Sequence, residues 1–109
     1  MTKFVLLYML DGTAEEEIQK AADVGPESMQ DWMTWSERVG SGLVDFGLPL
    51  GGGKTVSPSG VSTSGSKIGG YSIVEAADLD AATALLDGHP HIKQGGTIEV
   101  LETFAIPGM

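Results

Sequence analysis

The chain has 109 residues, a length that suits one domain with a single hydrophobic core. Apolar residues make up 41% of it and charged residues 19%, which is typical of an ordinary globular domain. The 15 acidic and six basic residues give a formal net charge of −9. This balance argues against a nucleic-acid surface, which needs clustered Lys and Arg, and against an anionic membrane.

The chain has no cysteine, so a disulfide framework, a thiolate metal site and a cysteine nucleophile are excluded. The longest apolar run, over residues 4–10, is too short to cross a bilayer. It also lacks the charged start and the cleavage site of a signal peptide. We therefore expect a cytoplasmic protein.

The first predicted strand, over residues 3–10, is apolar on both faces, since Phe4, Leu6 and Tyr8 alternate with other apolar side chains. A strand of this kind is normally covered on both sides. The helices of one small domain cover one face of its sheet. We therefore expect a second copy of the chain to cover the other face.

Two helices are predicted next. A capping-box pattern, Thr13 with Glu16, predicts a short helix over residues 13–22. Pro26 suits the first position of a second helix, which we predict over residues 26–39 because glycine follows it.

Both tryptophans, Trp32 and Trp35, fall in the apolar stripe of the second helix, with Ser36 inside that stripe. One interpretation places them in the core, packed on the sheet. In the other they wall an apolar ligand pocket between helix and sheet, together with Ser36, Tyr71 and Asp45.

The remaining predicted elements are strands over residues 43–48, 68–75 and 97–106 and a helix over residues 79–87. Residues 51–66 are almost entirely Gly, Ser, Thr, Pro and Lys, and predict a mobile excursion, with a hairpin through Thr55, Val56 and Val61 as one possibility. The order strand, helix, strand, strand, helix, strand predicts an α+β fold, a ferredoxin-like βαββαβ unit with an antiparallel sheet. A single domain spans residues 1–109.

The run from Gly51 to Thr55 invites comparison with a phosphate-binding loop. Leu48 stands where the motif requires its first glycine, and no helix is predicted after Thr55. A nucleotide site is therefore rejected.

His89 and His91 are the only histidines, and a histidine is the side chain best suited to proton transfer near neutral pH. They are separated by Pro90 and lie between a predicted helix and the last predicted strand. We therefore expect them to form a turn at the surface. The alternative is that one of them lines a functional cleft. Asp45 either lies on a solvated strand face or takes part in proton transfer. No Cys or carboxylate cluster completes a metal site, and no cofactor is predicted.

Short motifs along nearly the whole chain resemble the YCII-related family of small dimeric α/β-barrel proteins. They are the opening strand Lys3–Tyr8, the pair Trp32 and Trp35, the segments Gly42–Val44 and Gly47–Leu50, Ser66–Tyr71, Asp78–Ala82, His89–Ile92 and Gly96–Val100.

The resemblance implies a ferredoxin-like monomer whose sheet packs against a second copy, a dimeric α/β barrel. One branch of the family is similar to dehydrochlorinases that use a helix histidine, but the corresponding residues here, 29–31, include no histidine. Another branch carries an Asp-Gly-Pro-Phe signature, and residues 61–65 lack it.

Two functional hypotheses follow from the sequence. The first is a homodimer that binds a small, partly apolar molecule in the helix–sheet cleft. If this homodimer is an enzyme, a lyase or cofactor-free oxygenase reaction would suit such a site. Its candidate catalytic residues are Asp45, His89 and His91, and its candidate ligand-binding residues are Trp32, Trp35, Ser36 and Tyr71. The second is a non-enzymatic regulatory or interaction module, in which the same residues form the core and the dimer interface.

Overall fold

The computed structural model describes residues 1–10 and 26–108, with side chains from Met29 onward in the second range. The helix expected at residues 13–22 lies outside the described part. The strands are β1 (Thr2–Met9), β2 (Leu43–Asp45), β3 (Lys54–Ser57), β4 (Gly60–Thr63), β5 (Ile68–Ala76) and β6 (Thr97–Glu102). The helices are α1 (Pro26–Val39), α2 (Leu79–Ala84) and α3 (Pro90–Lys93), and a 3₁₀ turn at Gly40–Gly42 follows α1.

The main sheet has the strand order β2-β5-β1-β6, and every neighbouring pair is antiparallel. This is the strand arrangement of a ferredoxin-like fold, with β1 and β5 in the centre. The predicted α+β class and antiparallel sheet are confirmed.

The inner face of the sheet packs against the helices. Phe4, Leu6 and Tyr8 of β1 are buried there, opposite Val74, Ser72 and Gly70 of β5. Trp35 of α1 and Ala82 and Leu86, in and just after α2, complete this core. The core forms because alternate residues of a strand point to one face and meet the apolar stripes of the helices.

The outer face of the sheet is formed by the other parity of the strands. Val5, Leu7 and Met9 of β1 lie beside Tyr71 and Ile73 of β5, and all of them are half-buried. The single chain therefore leaves an apolar sheet face only partly covered.

The helix predicted over residues 26–39 is confirmed. Asp78 caps α2 by accepting a hydrogen bond from the Ala81 N–H at 2.8 Å. Three ends differ from prediction by more than one residue. β2 stops at Asp45 because Gly47 takes a φ of 80°, α2 stops at Ala84 rather than Asp87, and β6 stops at Glu102 rather than Ile106.

Within residues 51–66, β3 and β4 pair as a separate two-stranded hairpin. A hydrogen bond from the Ser64 N–H to the Gly53 carbonyl closes its base at 2.9 Å. This hairpin is one of the possible structures that the sequence predicts for residues 51–66. In the described parts of the chain, no helix combines the length and apolar character that crossing a membrane requires.

Candidate functional site

His89 lies at the junction between the two short helices. Gly88, with a φ of 73°, turns the chain after α2, and His89 then caps the N-terminus of α3 with Pro90 in the first turn. The turn directs the His89 side chain inward, and no part of the residue is exposed. The expectation of a surface role is wrong for His89, because this cap geometry buries the ring instead of presenting it to solvent.

Aromatic rings enclose His89 on several sides. Ring centroids of Trp35, Trp32 and Tyr8 lie 4.5, 4.6 and 5.2 Å from the His89 ring. Phe46 and His91 extend the group, at 6.2 Å from Trp32 and 5.6 Å from Tyr8 respectively. We call these residues the aromatic cluster: Tyr8, Trp32, Trp35, Phe46, His89 and His91.

The hydrogen bonding of His89 determines its tautomer. Its Nδ1 accepts a hydrogen bond from the backbone N–H of His91 at 3.0 Å, so the proton of the neutral ring resides on Nε2. Nε2 is buried and has no hydrogen-bond partner among the described residues. Burial, with smaller electrostatic contributions from the neighbouring His91 and Arg38, lowers the His89 pKa from 6.5 to about 4. At neutral pH the ring is therefore an uncharged donor.

Tyr8 and Ser72 form a hydrogen-bond chain beside His89. The Ser72 hydroxyl lies 2.6 Å from the Phe46 carbonyl oxygen, which can only accept, so Ser72 donates its single proton there. The Tyr8 hydroxyl, 2.6 Å from Ser72 Oγ, must then be the donor to Ser72. Burial raises the pKa of Tyr8 to about 12, against a smaller lowering by this hydrogen bond. Tyr8 therefore stays a phenol at neutral pH.

His91 has the same tautomer as His89 but different hydrogen-bond partners. Its Nε2 lies 2.8 Å from the Met9 carbonyl oxygen, so the proton resides on Nε2 and Nδ1 is left to accept. The ring lies tightly against Gly96, where an added Cβ would come within 2.4 Å of His91 Nε2. The His91 ring can occupy this position because residue 96 is a glycine and has no side chain.

The segment that carries the histidines is tied to α1 by side chains of that helix. Trp35 donates its Nε1–H to the Leu85 carbonyl at 2.9 Å, and Arg38 donates to the same carbonyl at 3.3 Å. Arg38 also donates to the carbonyl of Asp87. On the solvent side, Arg38, Thr34 and Lys93 line part of a shallow open groove of about 130 Å³ between α1 and α3.

The structure brings together four of the sequence-predicted site residues, namely Trp32, Trp35, His89 and His91. It does not bring the other three to them. Asp45 is exposed, its carboxylate accepts the Gly47 N–H at 2.9 Å, and it pairs with Ile73, an outer-face residue. Tyr71 lies on the outer face, and the Ser36 hydroxyl bonds the Met33 carbonyl of its own helix at 2.7 Å.

Sequence reasoning missed Tyr8, Ser72 and Phe46. A signal for Ser72 was available, because it has the same parity as Val74 and so occupies a buried position on the inner face of β5. A polar side chain at such a position needs a partner. Tyr8 shares the parity of Phe4 and Leu6, which places its hydroxyl within the protein as well.

Within residues 1–10 and 26–108, His, Asp and Glu side chains nowhere gather in a group of three or more that could hold a metal ion. The model of the YCII-related domain matches residues 5–106. The chain belongs to the YCII-related family. A comparison of this YCII-related chain with functionally curated proteins finds no match.

Among solved structures, the YCII-related chain is similar to 5-chloro-2-hydroxyhydroquinone dehydrochlorinase (TftG) from Burkholderia phenoliruptrix AC1100, determined in complex with 2,5-dihydroxybenzoquinone. The two share 17% sequence identity, with a TM-score of 0.46 over 91% of each chain.

Proposed function

We propose that this YCII-related protein is a cytoplasmic homodimer that binds a small, planar, partly apolar molecule in the aromatic cluster between α1 and the sheet. The observation that carries the proposal is the Nε2–H of His89, a buried donor without a protein acceptor among the described residues. Native proteins satisfy the great majority of buried polar groups, and those left unsatisfied are often at functional sites.

The energetics favour a ligand that accepts a hydrogen bond. A buried donor without a partner costs about 1–3 kcal/mol. A carbonyl or phenolic oxygen of a ligand, placed at His89 Nε2, would recover much of this cost. The rings of Trp32 and Tyr8 offer apolar surface for the rest of a planar molecule.

We propose that the ligand enters the aromatic cluster past the side chain of Trp32. This residue is only partly buried, unlike Trp35, and its ring lies directly against His89. Its neighbours on α1, Met29 and Met33, are exposed. A change in the Trp32 rotamer would uncover one side of the His89 ring. Trp35 would stay in place, because its Nε1 is held by the Leu85 carbonyl.

The same geometry suits a lyase or a cofactor-free oxygenase that forms an oxyanion on its substrate. His89, as a neutral donor in a dry site, would stabilise that negative charge. His91 Nδ1 is the proton acceptor we propose, since the proton of its neutral ring is on Nε2. Asp45, Ser36 and Tyr71 have no part in this proposal, because their side chains lie elsewhere.

The test of the site uses planar aromatic ketones, each paired with the alkyl analogue that lacks the carbonyl, and follows the His89 ring nitrogens by ¹⁵N NMR. We expect the ketones to shift the Nε2 resonance and to bind at least about tenfold more tightly than their analogues. The His89→Phe variant, which retains a ring of similar size but no donor, should bind both members of a pair equally. If no ketone perturbs Nε2, the proposed site is wrong.

The homodimer part of the proposal concerns the outer face of the sheet. Val5, Leu7 and Ile73 are half-buried there in one chain, and apolar sheet faces are normally covered. A second copy packed face to face would cover them at the usual separation of about 10 Å. Light scattering and sedimentation should give a dimer, and Leu7→Lys, at the centre of the face, should give a folded monomer.

A non-enzymatic interaction module is the second candidate, and one observation favours it. The His89 ring is fully enclosed in the unliganded chain, as a purely structural core residue would be. In that case the ketones would leave the Nε2 resonance unchanged, while the dimer would remain.

A further inference from the structure

The β3–β4 hairpin is fully exposed in the single chain. All eight strand residues, Lys54–Ser57 and Gly60–Thr63, are exposed, although the two strands are paired over their full length. An isolated two-stranded hairpin is at best marginally stable in water. The hairpin therefore needs a surface to pack on that the described part of its own chain does not provide.

One face of the hairpin is apolar and basic. Val56 and Val61 are directly opposite each other in the ladder and are 76% and 66% exposed. Since side chains alternate along a strand, Lys54 projects from the same face as Val56. The two valines form one contiguous apolar contact surface on this face of the hairpin.

The charge distribution indicates what this face binds. Residues 46–74 contain Lys54 and Lys67 and no acidic residue, whereas the rest of the chain holds all 15 acidic residues and four basic ones. The segment that carries the hairpin is thus basic, while the rest of the chain is acidic. A second copy of the same chain offers it the complementary charge.

The outer side of β6 carries the matching pattern. Glu99 and Leu101 pair with Leu7 and Val5 of β1, so both project from the outer face. Leu101 is 48% exposed, and β6 is an edge strand of the sheet. An acidic residue two positions before an apolar one on β6 corresponds to Lys54 two positions before Val56 on the hairpin.

We propose that in the homodimer the β3–β4 hairpin of each chain docks on the outer face of β6 of the other, with Val56 and Val61 against Leu101 and Lys54 near Glu99. The exchange is reciprocal, as the two-fold symmetry of a homodimer requires. A four-residue strand spans about 13 Å, enough to cover the edge of a facing sheet. This inference rests on the homodimer proposed above and adds the element that holds it.

The first test is the dissociation constant of the dimer, measured by sedimentation. The double variant Val56→Ser/Val61→Ser should raise it at least about tenfold, whereas Val44→Ser, at another exposed valine, should not. Lys54→Glu should weaken the dimer, and adding Glu99→Lys should restore it. If Leu7→Lys breaks the dimer and the hairpin variants do not, the hairpin inference is wrong and the homodimer stands. A monomeric wild-type protein would overturn both.

A cross-linking test uses the absence of native cysteine. Val56→Cys and Leu101→Cys chains, co-expressed and treated with a short bismaleimide, should give a covalent species of twice the chain mass. The matched pair Val44→Cys with Leu101→Cys should give much less. Equal yields from the two pairs would contradict the proposed docking.

Discussion

The backbone N–H of His91 donates a hydrogen bond to the Nδ1 of His89 at 3.0 Å. This contact places the His89 proton on Nε2, inside the aromatic cluster, so His89 can only donate there. His91 donates its own Nε2 proton to the Met9 carbonyl and retains Nδ1 as an acceptor.

The free energy of unfolding should depend on pH through His89. Its pKa is about 4 in the folded chain against an ordinary value of 6.5, so between these values the unfolded chain binds more protons. Stability therefore rises as the pH increases from about 4 to about 6.5 and is level above that, with a contribution of up to about 3 kcal/mol from this ring.

Urea unfolding between pH 4 and pH 7 measures this dependence. His89→Phe should reduce the slope of stability against pH relative to the wild-type protein, and an NMR titration should place the His89 midpoint near 4. An unchanged slope in the variant would contradict the assignment.

Ser72→Ala should cost more stability than Tyr8→Phe. Removing the Tyr8 hydroxyl leaves Ser72 bonded to the Phe46 carbonyl, at a cost of about 1 kcal/mol. Removing the Ser72 hydroxyl leaves both the buried Tyr8 hydroxyl and the Phe46 carbonyl without that partner, at about 1–3 kcal/mol. Chemical denaturation of both variants and of the double variant checks this, and the double variant should cost less than the sum of the two. A strictly additive result would mean that the two hydroxyls are not coupled.

Gly47→Ala should destabilise the protein by about 2–4 kcal/mol. Gly47 has a φ of 80°, and a Cβ there would lie 1.7 Å from the Tyr71 carbonyl oxygen. Gly65 is the matched control, since a Cβ at that position meets no atom within 4 Å. Gly65→Ala should be neutral or slightly stabilising. Thermal melts that shift equally for both variants would show that the turn at Gly47 tolerates a side chain.

Ligand affinity should distinguish the sequence-predicted catalytic residues from one another. Asp45→Asn should leave ketone binding unchanged, because Asp45 is exposed and its carboxylate bonds only the neighbouring turn in the contacts described above. His91→Ala should weaken binding, because its ring packs on Tyr8 at the edge of the cluster. Titration calorimetry of the two variants provides the comparison. Loss of binding in Asp45→Asn with full binding in His91→Ala would reverse the assignment.

Most of the fold could be predicted from the sequence because its local signals agree with its tertiary structure. The alternation in β1, the stripe of α1 and the Asp78 cap each encode their own element. The ends of β2 and β6 could not be predicted in the same way. β2 ends because Gly47 takes a φ of 80°, which the alternating pattern of residues 43–48 does not reveal. β6 ends where its pairing with β1 ends, although apolar residues continue beyond Glu102.

The site was only partly predictable for a related reason. The spacing of Trp32 and Trp35 predicts that both lie on one face of a helix. The burial of His89 cannot be predicted in this way, because it depends on how the Gly88 turn directs the ring. Tyr71 and Ser72 are adjacent in sequence, yet the sheet separates them onto opposite faces. Tyr71 lies on the outer face, and the neighbouring inner-face position, Ser72, is the one that reaches the cluster.

The carbonyl of Leu85 accepts hydrogen bonds from both Trp35 and Arg38, side chains one turn apart on α1. Side chains of α1 therefore hold the backbone of the segment that carries the two histidines. Amide hydrogens of α1 and of residues 85–93 should exchange with solvent as one cooperative unit. A displacement of α1 would therefore carry the segment of both histidines with it, and the contacts that would change are those to the sheet, including the hydrogen bond of His91 to the Met9 carbonyl.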